Sequence, residues 1–243
     1  MNEQQGDNMA VKYKEIADRL EQEIRDGKFD QTKKLPTEDE LIKTFEVSRN
    51  TIRKAINQLV NRGYIYQVQG SGMFLREKSD TDYINLGSLR GLTKDLFRKT
   101  IETKILELHV IEADETKAKQ LNCEEGTKLY YIKRLRIVDK EPFSIEISYF
   151  KKNIVPYLNK DIAASSIYSY LIEDLKLTIG FADKIINCEK IDEESASLLH
   201  VDPQDPALII ENTVCLTNGT IFELSKSIFH YQKAKILNRI NFK

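Results

Sequence analysis

Two groups of side chains in this sequence have the types and spacing to do chemistry. Arg49, Asn50, Arg53 and Asn57 share one side of a helical repeat, because positions i and i+4 project from the same face. Arginine pairs bidentately with guanine and asparagine with adenine, so this face carries the groups that read base edges in a major groove. Arg134 and Arg136 lie two apart in a strand-forming stretch, which turns both guanidiniums to one side and suits them to clamp an anion. Ser88, Ser166 and Tyr168 supply hydroxyl donors, and Glu146 and Glu223 accept from hydroxyl groups. Ser165-Ser166 opens a helical stretch whose positive end favours a phosphate. Plainer readings stand beside these: an Arg-x-Arg strand also makes a surface ion-pair ladder, and Ser-Ser also serves as a helix cap.

Other chemistries find little support. His109, His200 and His230 are far apart and fit no metal spacing, and His109 falls in a strand pattern. There is no glycine-rich phosphate loop, no nucleophile elbow and no paired-cysteine motif. Cys123, Cys188 and Cys215 are odd in number and widely spaced, which reads as three buried thiols in a reducing compartment. The expectation is therefore no catalytic residue, no metal, no cofactor and a cytoplasmic protein; the first thirty residues are polar and lack the apolar core of a secretory signal. The longest apolar runs are far shorter than the ~20 residues that span a membrane, so no membrane partner is expected.

The reading groups need elements to hold them. The chain has 243 residues, with 41% hydrophobic and 31% charged and a net charge of −1, long enough for two domains and unlike a disordered or fibrous protein. Residues 1–10 lack periodicity and read as an irregular lead. Tyr13, Ile16, Ala17, Leu20 and Ile24 then recur as one face of an amphipathic helix that Gly27 closes. After Leu35-Pro36, Thr37 and Glu40 form a capping-box signature for a second helix burying Leu41, Ile42 and Phe45. Ser48 caps a third, with Ile52, Ala55, Ile56, Leu59 and Val60 inward. Residues 64–69 and 73–75 read as strands around Gly70-Ser71-Gly72, whose glycines permit a hairpin tip. Between Val47 and Arg76 stand Arg49, Arg53, Lys54, Arg62 and Arg76 with no Asp or Glu, a local positive surface. Two helices with a basic second face and a following hairpin make a winged helix-turn-helix.

The order Gly27-x-Phe29, Leu35-Pro36-Thr37-Glu38-x-x-Leu41, Val47-Ser48-Arg49-x-Thr51-Ile52-Arg53-x-Ala55-Ile56, Gly63-Tyr64-Ile65 and Gly70-x-Gly72-x-Phe74 resembles the DNA-binding domain of GntR-family transcriptional regulators. The resemblance implies that Arg49, Asn50, Thr51 and Arg53, with Thr37 at the preceding helix, contact DNA. It also implies that Gly70, Ser71 and Gly72 form a wing tip in the minor groove. Asp39 stands where many members have a DNA-contacting arginine, and Gln69 where a basic residue is common.

A polar segment, 77–82, reads as a linker between a domain at 10–76 and another at 83–243. The second alternates as strands near 104–111, 129–138, 142–150, 184–190, 207–216 and 221–231, with helices near 116–121, 166–175 and 193–199. Strands with hairpin-length connections favour a mainly antiparallel α+β domain. Lys133-Arg134-Leu135-Arg136, Glu141-Pro142-Phe143-x-Ile145-Glu146, Ser165-Ser166-Ile167-Tyr168-x-Tyr170 and Gly219-Thr220 through Ser227 resemble the UTRA effector domain of the HutC subgroup, with a chorismate-lyase-like fold.

The resemblance implies a repressor of a carbohydrate-utilisation operon, released by a phosphorylated sugar such as trehalose 6-phosphate or an amino-sugar phosphate. It places Ser88, Leu89, Arg90, Arg134, Arg136, Glu146, Ser166, Tyr168, Glu223 and Phe229 at the effector, with Phe229 where some members have tyrosine. The partners implied are double-stranded operator DNA, the small effector and a second copy of the chain in a homodimer. Alternatives are a carbohydrate-phosphate enzyme with a DNA-binding appendage, and a constitutive DNA-binding scaffold.

Overall fold

The computed structural model describes residues 3–76, 83–86, 91–96 and 99–238. The chain forms two compact units, the second spanning Thr81–Leu237. The expected linker at 77–82 lies outside the described residues.

In the first unit α1 (Glu3–Arg25), α2 (Glu38–Phe45) and α3 (Arg49–Asn61) precede a hairpin of β1 (Ile65–Val68) and β2 (Gly72–Leu75). The irregular lead expected before Tyr13 is corrected, because α1 starts at Glu3. Residues 3–10 contain no proline, and lengthening a formed helix adds a hydrogen bond per residue without a new nucleus. Gly27 at φ +82° ends the helix in a conformation that costs glycine little. Both arms of the capping box are made. The Thr37 N–H donates to Glu40 Oε2 at 2.7 Å, and the Glu40 N–H donates to Thr37 Oγ1 at 3.3 Å. Ser48 caps α3 with its side chain alone, accepting from the Thr51 N–H, and each cap contributes about 1 kcal/mol.

Ile52, Ala55, Ile56 and Leu59 of α3 are fully buried against Ile16, Ala17, Leu20 and Ile24 of α1 and Leu41 of α2. A buried ion cluster reinforces this packing. Glu21 accepts from Arg62 at 2.8 Å and Tyr64 Oη at 3.0 Å, and pairs with Arg25 at 2.7 Å. The strip before α2 joins the hairpin as well, through Leu35 N–H to Met73 O and Leu75 N–H to Lys33 O, both 2.9 Å.

The second unit is built on one six-stranded antiparallel sheet, beside a two-stranded parallel pair of β3 (Ile84–Asn85) and β10 (Ile236–Leu237). The large sheet contains β4 (Ile101–Glu112), β5 (Lys128–Val138), β6 (Glu141–Lys151), β7 (Ile179–Lys190), β8 (Pro206–Leu216) and β9 (Ile221–His230). Its order is β4-β5-β6-β9-β8-β7. The helices are α4 (Leu92–Asp95), α5 (Glu115–Leu121), α6 (Lys160–Ala164), α7 (Ile167–Ser169) and α8 (Glu193–Leu199). The mainly antiparallel α+β expectation is met. A helix expected at 166–175 is α7 continued by a π-helical turn, Tyr170–Asp174, in which Leu175 N–H reaches back five residues to Tyr170 O. The β5–β6 turn places Asp139 and Lys140 at φ +50° and +71°, the two-residue geometry that matches strand twist.

Period-2 alternation gives the sheet two working faces. On one, Leu135, Ile145, Ile209 and Ile228 bury against Ala196 and Leu199 of α8. On the other, Ile132, Phe150 and Val214 bury under Ala163, Ile167 and Leu171 of the α6–α7 segment. Ile84, Leu92 and Leu96 cover Phe143, Ile210 and Phe229 separately. The sheet between these two covers is left open as a cleft.

The reading of three buried thiols is corrected: Cys215 is buried, Cys123 is half-buried, and Cys188 is exposed on β7, the last strand of the sheet among the described residues.

Candidate nucleic-acid interface and ligand pocket

Inward anchoring of α3 through Ile52, Ala55, Ile56 and Leu59 forces Arg49, Asn50, Arg53, Lys54 and Asn57 outward, and all five are exposed. Thr37 is exposed at the start of α2, as are Gly70 and Ser71 at the hairpin tip. Gly70 has φ +75° and open space where a side chain would project. Thr51 departs from its expected place. It is 3% exposed, and its hydroxyl is 2.9 Å from Ser48 Oγ, so it belongs to the cap and not to the exposed face.

The positive surface read from residues 47–76 is also corrected. Arg62 is held by Asp18 at 2.7 Å and by Glu21, so it points back to α1. The acid-free face of α3 meets acids from α2: Arg49 Nη2 donates to Asp39 Oδ1 at 2.5 Å and Arg53 Nε to Glu38 Oε2 at 3.0 Å. Spacing along α3 could not show these carboxylates, which come from the helix before it.

One cation near the wing escaped the sequence reading. Lys34 pairs with Phe74 as an isolated bridge, and its Nζ lies 5.5 Å from the Phe74 ring centroid. A Cβ at Gly72, where φ is +119°, would come within 2.7 Å of Lys34 Cε. Glycine there leaves room for the lysine side chain along the hairpin. The signal for it was its place beside Leu35-Pro36, where the chain must turn.

In the second unit the cleft has about 950 Å³ of empty space, its open mouth included. Its floor is made of rows across the sheet. Arg134, Glu146, Ser227 and Ile210 are successive register partners on β5, β6, β9 and β8, and Ser148, Ser225, Asn212 and Lys184 continue a neighbouring row onto β7. Arg136, Ser166, Tyr168, Glu223 and Phe229 complete a lining that gathers all the described residues expected at the effector. Ser88, Leu89 and Arg90 lie outside the described residues. Ser148, Ser225, Ser227, Asn212 and Lys184 were missed. Ser148, Ser225 and Ser227 sit two or four residues along a strand from a residue that was found, so period 2 was the available signal for them. Asn212 and Lys184 lie on β8 and β7, where no site residue was expected, and only the cross-strand register brings them in.

Charge inside the cleft is unevenly matched. Arg134 donates to Glu146 and, at 2.8 Å, to Ala163 O; Arg136 donates to Thr103 Oγ1 at 2.8 Å and Thr93 Oγ1 at 2.6 Å. The Nε–H of each arginine is buried without a hydrogen-bond partner among the described residues, although Arg136 Nε lies 4.0 Å from Glu146 Oε1; a polar ligand would satisfy both donors. Burial pushes the pKa of Arg136 down, partly opposed by Glu146. Burial pushes Glu146 up, but Arg134 and Arg136 together hold it below its ordinary value. Glu223 has a different fate: burial raises it to about 7 despite hydrogen bonds from Tyr168 and Ser225. Tyr168 is raised well above its ordinary value by burial and by Glu223. With Arg134, Arg136 and Lys184 against Glu146 and Glu223, the lining is net positive even with both carboxyls ionised. Ser166 Oγ accepts from Ser169 N–H at 3.2 Å, so it works as a cap while facing the cleft. Phe229 meets Phe143 edge-on, with centroids 5.8 Å apart.

Among the described residues no cluster of three or more His, Cys, Asp or Glu is placed to hold a metal ion, and no helix is long and apolar enough to cross a membrane.

A winged helix-turn-helix unit with a basic reading helix, joined in one chain to a sheet domain with an anion-suited cleft, defines a ligand-responsive DNA-binding regulator. Residues 12–75 match the family described as bacterial regulatory proteins, gntR family, and residues 98–235 match the UTRA domain. The chain belongs to the GntR family, with the UTRA domain of its HutC-like members. YydK of Bacillus subtilis, an uncharacterized HTH-type transcriptional regulator, is 37% identical over 95% of this chain and 98% of its own. Its crystal structure superposes with a TM-score of 0.77, 35% identity and coverage of 95% and 99%. The HTH-type regulator TreR of the same organism is 30% identical over 93% of this chain and 94% of its own. The effector-binding domain of that trehalose repressor covers 58% of this chain and 99% of its own, with a TM-score of 0.54 and 26% identity. The protein is thus a DNA-binding transcriptional regulator with a small-molecule effector domain, and it is not an enzyme.

Proposed function

We propose that the protein is a cytoplasmic, homodimeric repressor of a carbohydrate-utilisation operon, released from its operator when a phosphorylated sugar enters the cleft. The observation that carries this reading is the pair of buried Nε–H donors on Arg134 and Arg136, neither hydrogen-bonded among the described residues, in a net-positive cleft lined with hydroxyl and amide groups. A phosphate supplies the acceptors both guanidiniums lack. Glu146, Glu223, Asn212, Ser148 and Ser225 match the hydroxyls of a sugar, and Phe229 offers an apolar surface where a tyrosine would add one more donor. Trehalose 6-phosphate and amino-sugar phosphates both fit this description, and similarity to a trehalose repressor supports the first.

Arg49, Asn50 and Arg53 are the base-reading groups, with Thr37, Lys34 and the Gly70–Gly72 tip on the sugar-phosphate backbone; Thr51 contributes by capping α3. Two such heads in a dimer read half-sites about 10 bp apart or a multiple of that spacing. Effector and operator weaken each other by one common factor, as linkage requires. A thermal-shift panel tests the effector class. Phosphorylated sugars are expected to raise the melting temperature while the same sugars without phosphate do not; equal shifts from both would remove the role given to the arginines.

A further inference from the structure

Resting on the assignment of Arg49 and Arg53 to base reading, we propose that Asp39 is a specificity-determining positioning residue: it holds Arg49 for a guanine edge and keeps it off phosphates.

The two guanidiniums of the reading face are matched by two carboxylates. Glu38 takes Arg53 at 3.0 Å and reaches Arg49 at 3.5 Å, while Asp39 takes Arg49 at 2.5 Å. The Asp39 side chain is 69% exposed and that of Arg49 53%, so this pair lies at the surface and not in a core. Its own worth to folding is small, because exposed ion pairs are screened and hold two long side chains in one geometry. Its consequence lies in binding. Non-specific attraction to a duplex comes almost entirely from cations meeting phosphates. An Arg49 already carrying a carboxylate brings no net charge to that encounter, and if it lets go, it leaves the Asp39 anion facing the backbone within screening distance.

A guanine edge changes the balance. Arginine has five N–H donors in a planar fork. One of them can stay with Asp39 while two others take O6 and N7, and the carboxylate then fixes the plane of the fork. Asp39 therefore costs little at the correct base and more at every wrong position, which is how discrimination is gained through repulsion as well as attraction.

The test uses the full-length protein, a 30-bp duplex that the wild type enriches from a random pool, and a scrambled duplex of the same composition. Asp39→Asn keeps size and fold, which a melting curve verifies. It is expected to tighten binding to the scrambled duplex about threefold per protomer and change binding to the enriched duplex by less, so the ratio of affinities falls. Asp39→Glu restores the carboxylate and should restore most of that ratio. The salt slope on the scrambled duplex should steepen by about one per protomer in the Asn variant, because Arg49 is freed to take a phosphate. If Asp39→Asn leaves the ratio unchanged while Arg49→Ala abolishes discrimination, the proposal for Asp39 fails and the reading face stands. If Arg49→Ala leaves discrimination intact, both fall.

Discussion

Tyr168 Oη donates to Glu223 Oε2 at 2.7 Å, joining the α7 segment to the sheet at the bottom of the cleft. Neither partner gains a cation from this contact, and burial leaves the Glu223 carboxyl titrating at about 7 with Arg134 and Glu146 facing it. The native state therefore holds a proton at Glu223 more tightly than the unfolded chain does. A carboxyl raised in this way stabilises the fold most below its ordinary value near 4.5, and the contribution is lost as pH rises through about 7.

Glu223→Gln is thus expected to flatten the stability profile between pH 5 and pH 8 and to be the more stable form at the alkaline end, by at most about 3 kcal/mol. Denaturant titrations of both proteins across that range measure it. Parallel profiles for the two would show that Glu223 does not titrate in the window. Glu146, held low by its arginines, works in the opposite sense and only in acid, so it does not mask the effect.

Arg134→Met removes a guanidinium that two groups rely on, the Glu146 carboxylate and the Ala163 carbonyl. Leaving Glu146 buried without it costs about 3 kcal/mol. The double variant Arg134→Met, Glu146→Met should regain most of that stability without regaining a melting shift from sugar phosphates. A double variant that still responds to them at wild-type concentration would place the anion site elsewhere.

Arg53→Ala or Arg49→Ala should cost about 1–3 kcal/mol of operator affinity per half-site while the thermal response to effector is kept. Arg62→Ala separates charge from position. Its guanidinium is spent on Asp18 and Glu21, so it is expected to lower the stability of the first unit, with no change of preferred sequence. Anisotropy titrations on the enriched duplex, paired with melting curves, distinguish the two outcomes.

Glu21→Gln is the corresponding test of the winged-helix core. Glu21 is 3% exposed and engages Arg25, Arg62 and Tyr64. Replacing its charge by an amide should destabilise the first unit by about 2–3 kcal/mol, read by denaturant unfolding. A neutral result would mean that apolar packing of α1 on α3 holds the unit without these ions.

The order of elements was legible because it rests on local signals. Thr37 with Glu40, Ser48 before an apolar repeat, and Asp139-Lys140 between two alternating runs each encode a boundary within a few residues. Alternation also placed Arg134 with Arg136 on one face, while Glu223 and Phe229 were placed by the family resemblance. What stayed hidden depends on separated segments meeting. Glu38 and Asp39 reach across from α2 to Arg49 and Arg53, Arg62 turns to Asp18 on α1, and Lys34 lies along the wing. Lys184 enters the cleft from a strand on the far edge of the sheet. Thr51 was expected at the DNA from the family resemblance, yet the Ser48 cap draws it inward.

In the proposed mechanism one ligand class in the cleft controls the grip of α3 on DNA. Affinity for the enriched duplex, titrated with and without a saturating phosphorylated sugar that raises the melting temperature, tests it most directly. Duplex affinity is expected to fall about tenfold or more, with an equal loss of sugar-phosphate affinity when the duplex is saturating. Duplex affinity unchanged by every phosphorylated sugar that binds would contradict it.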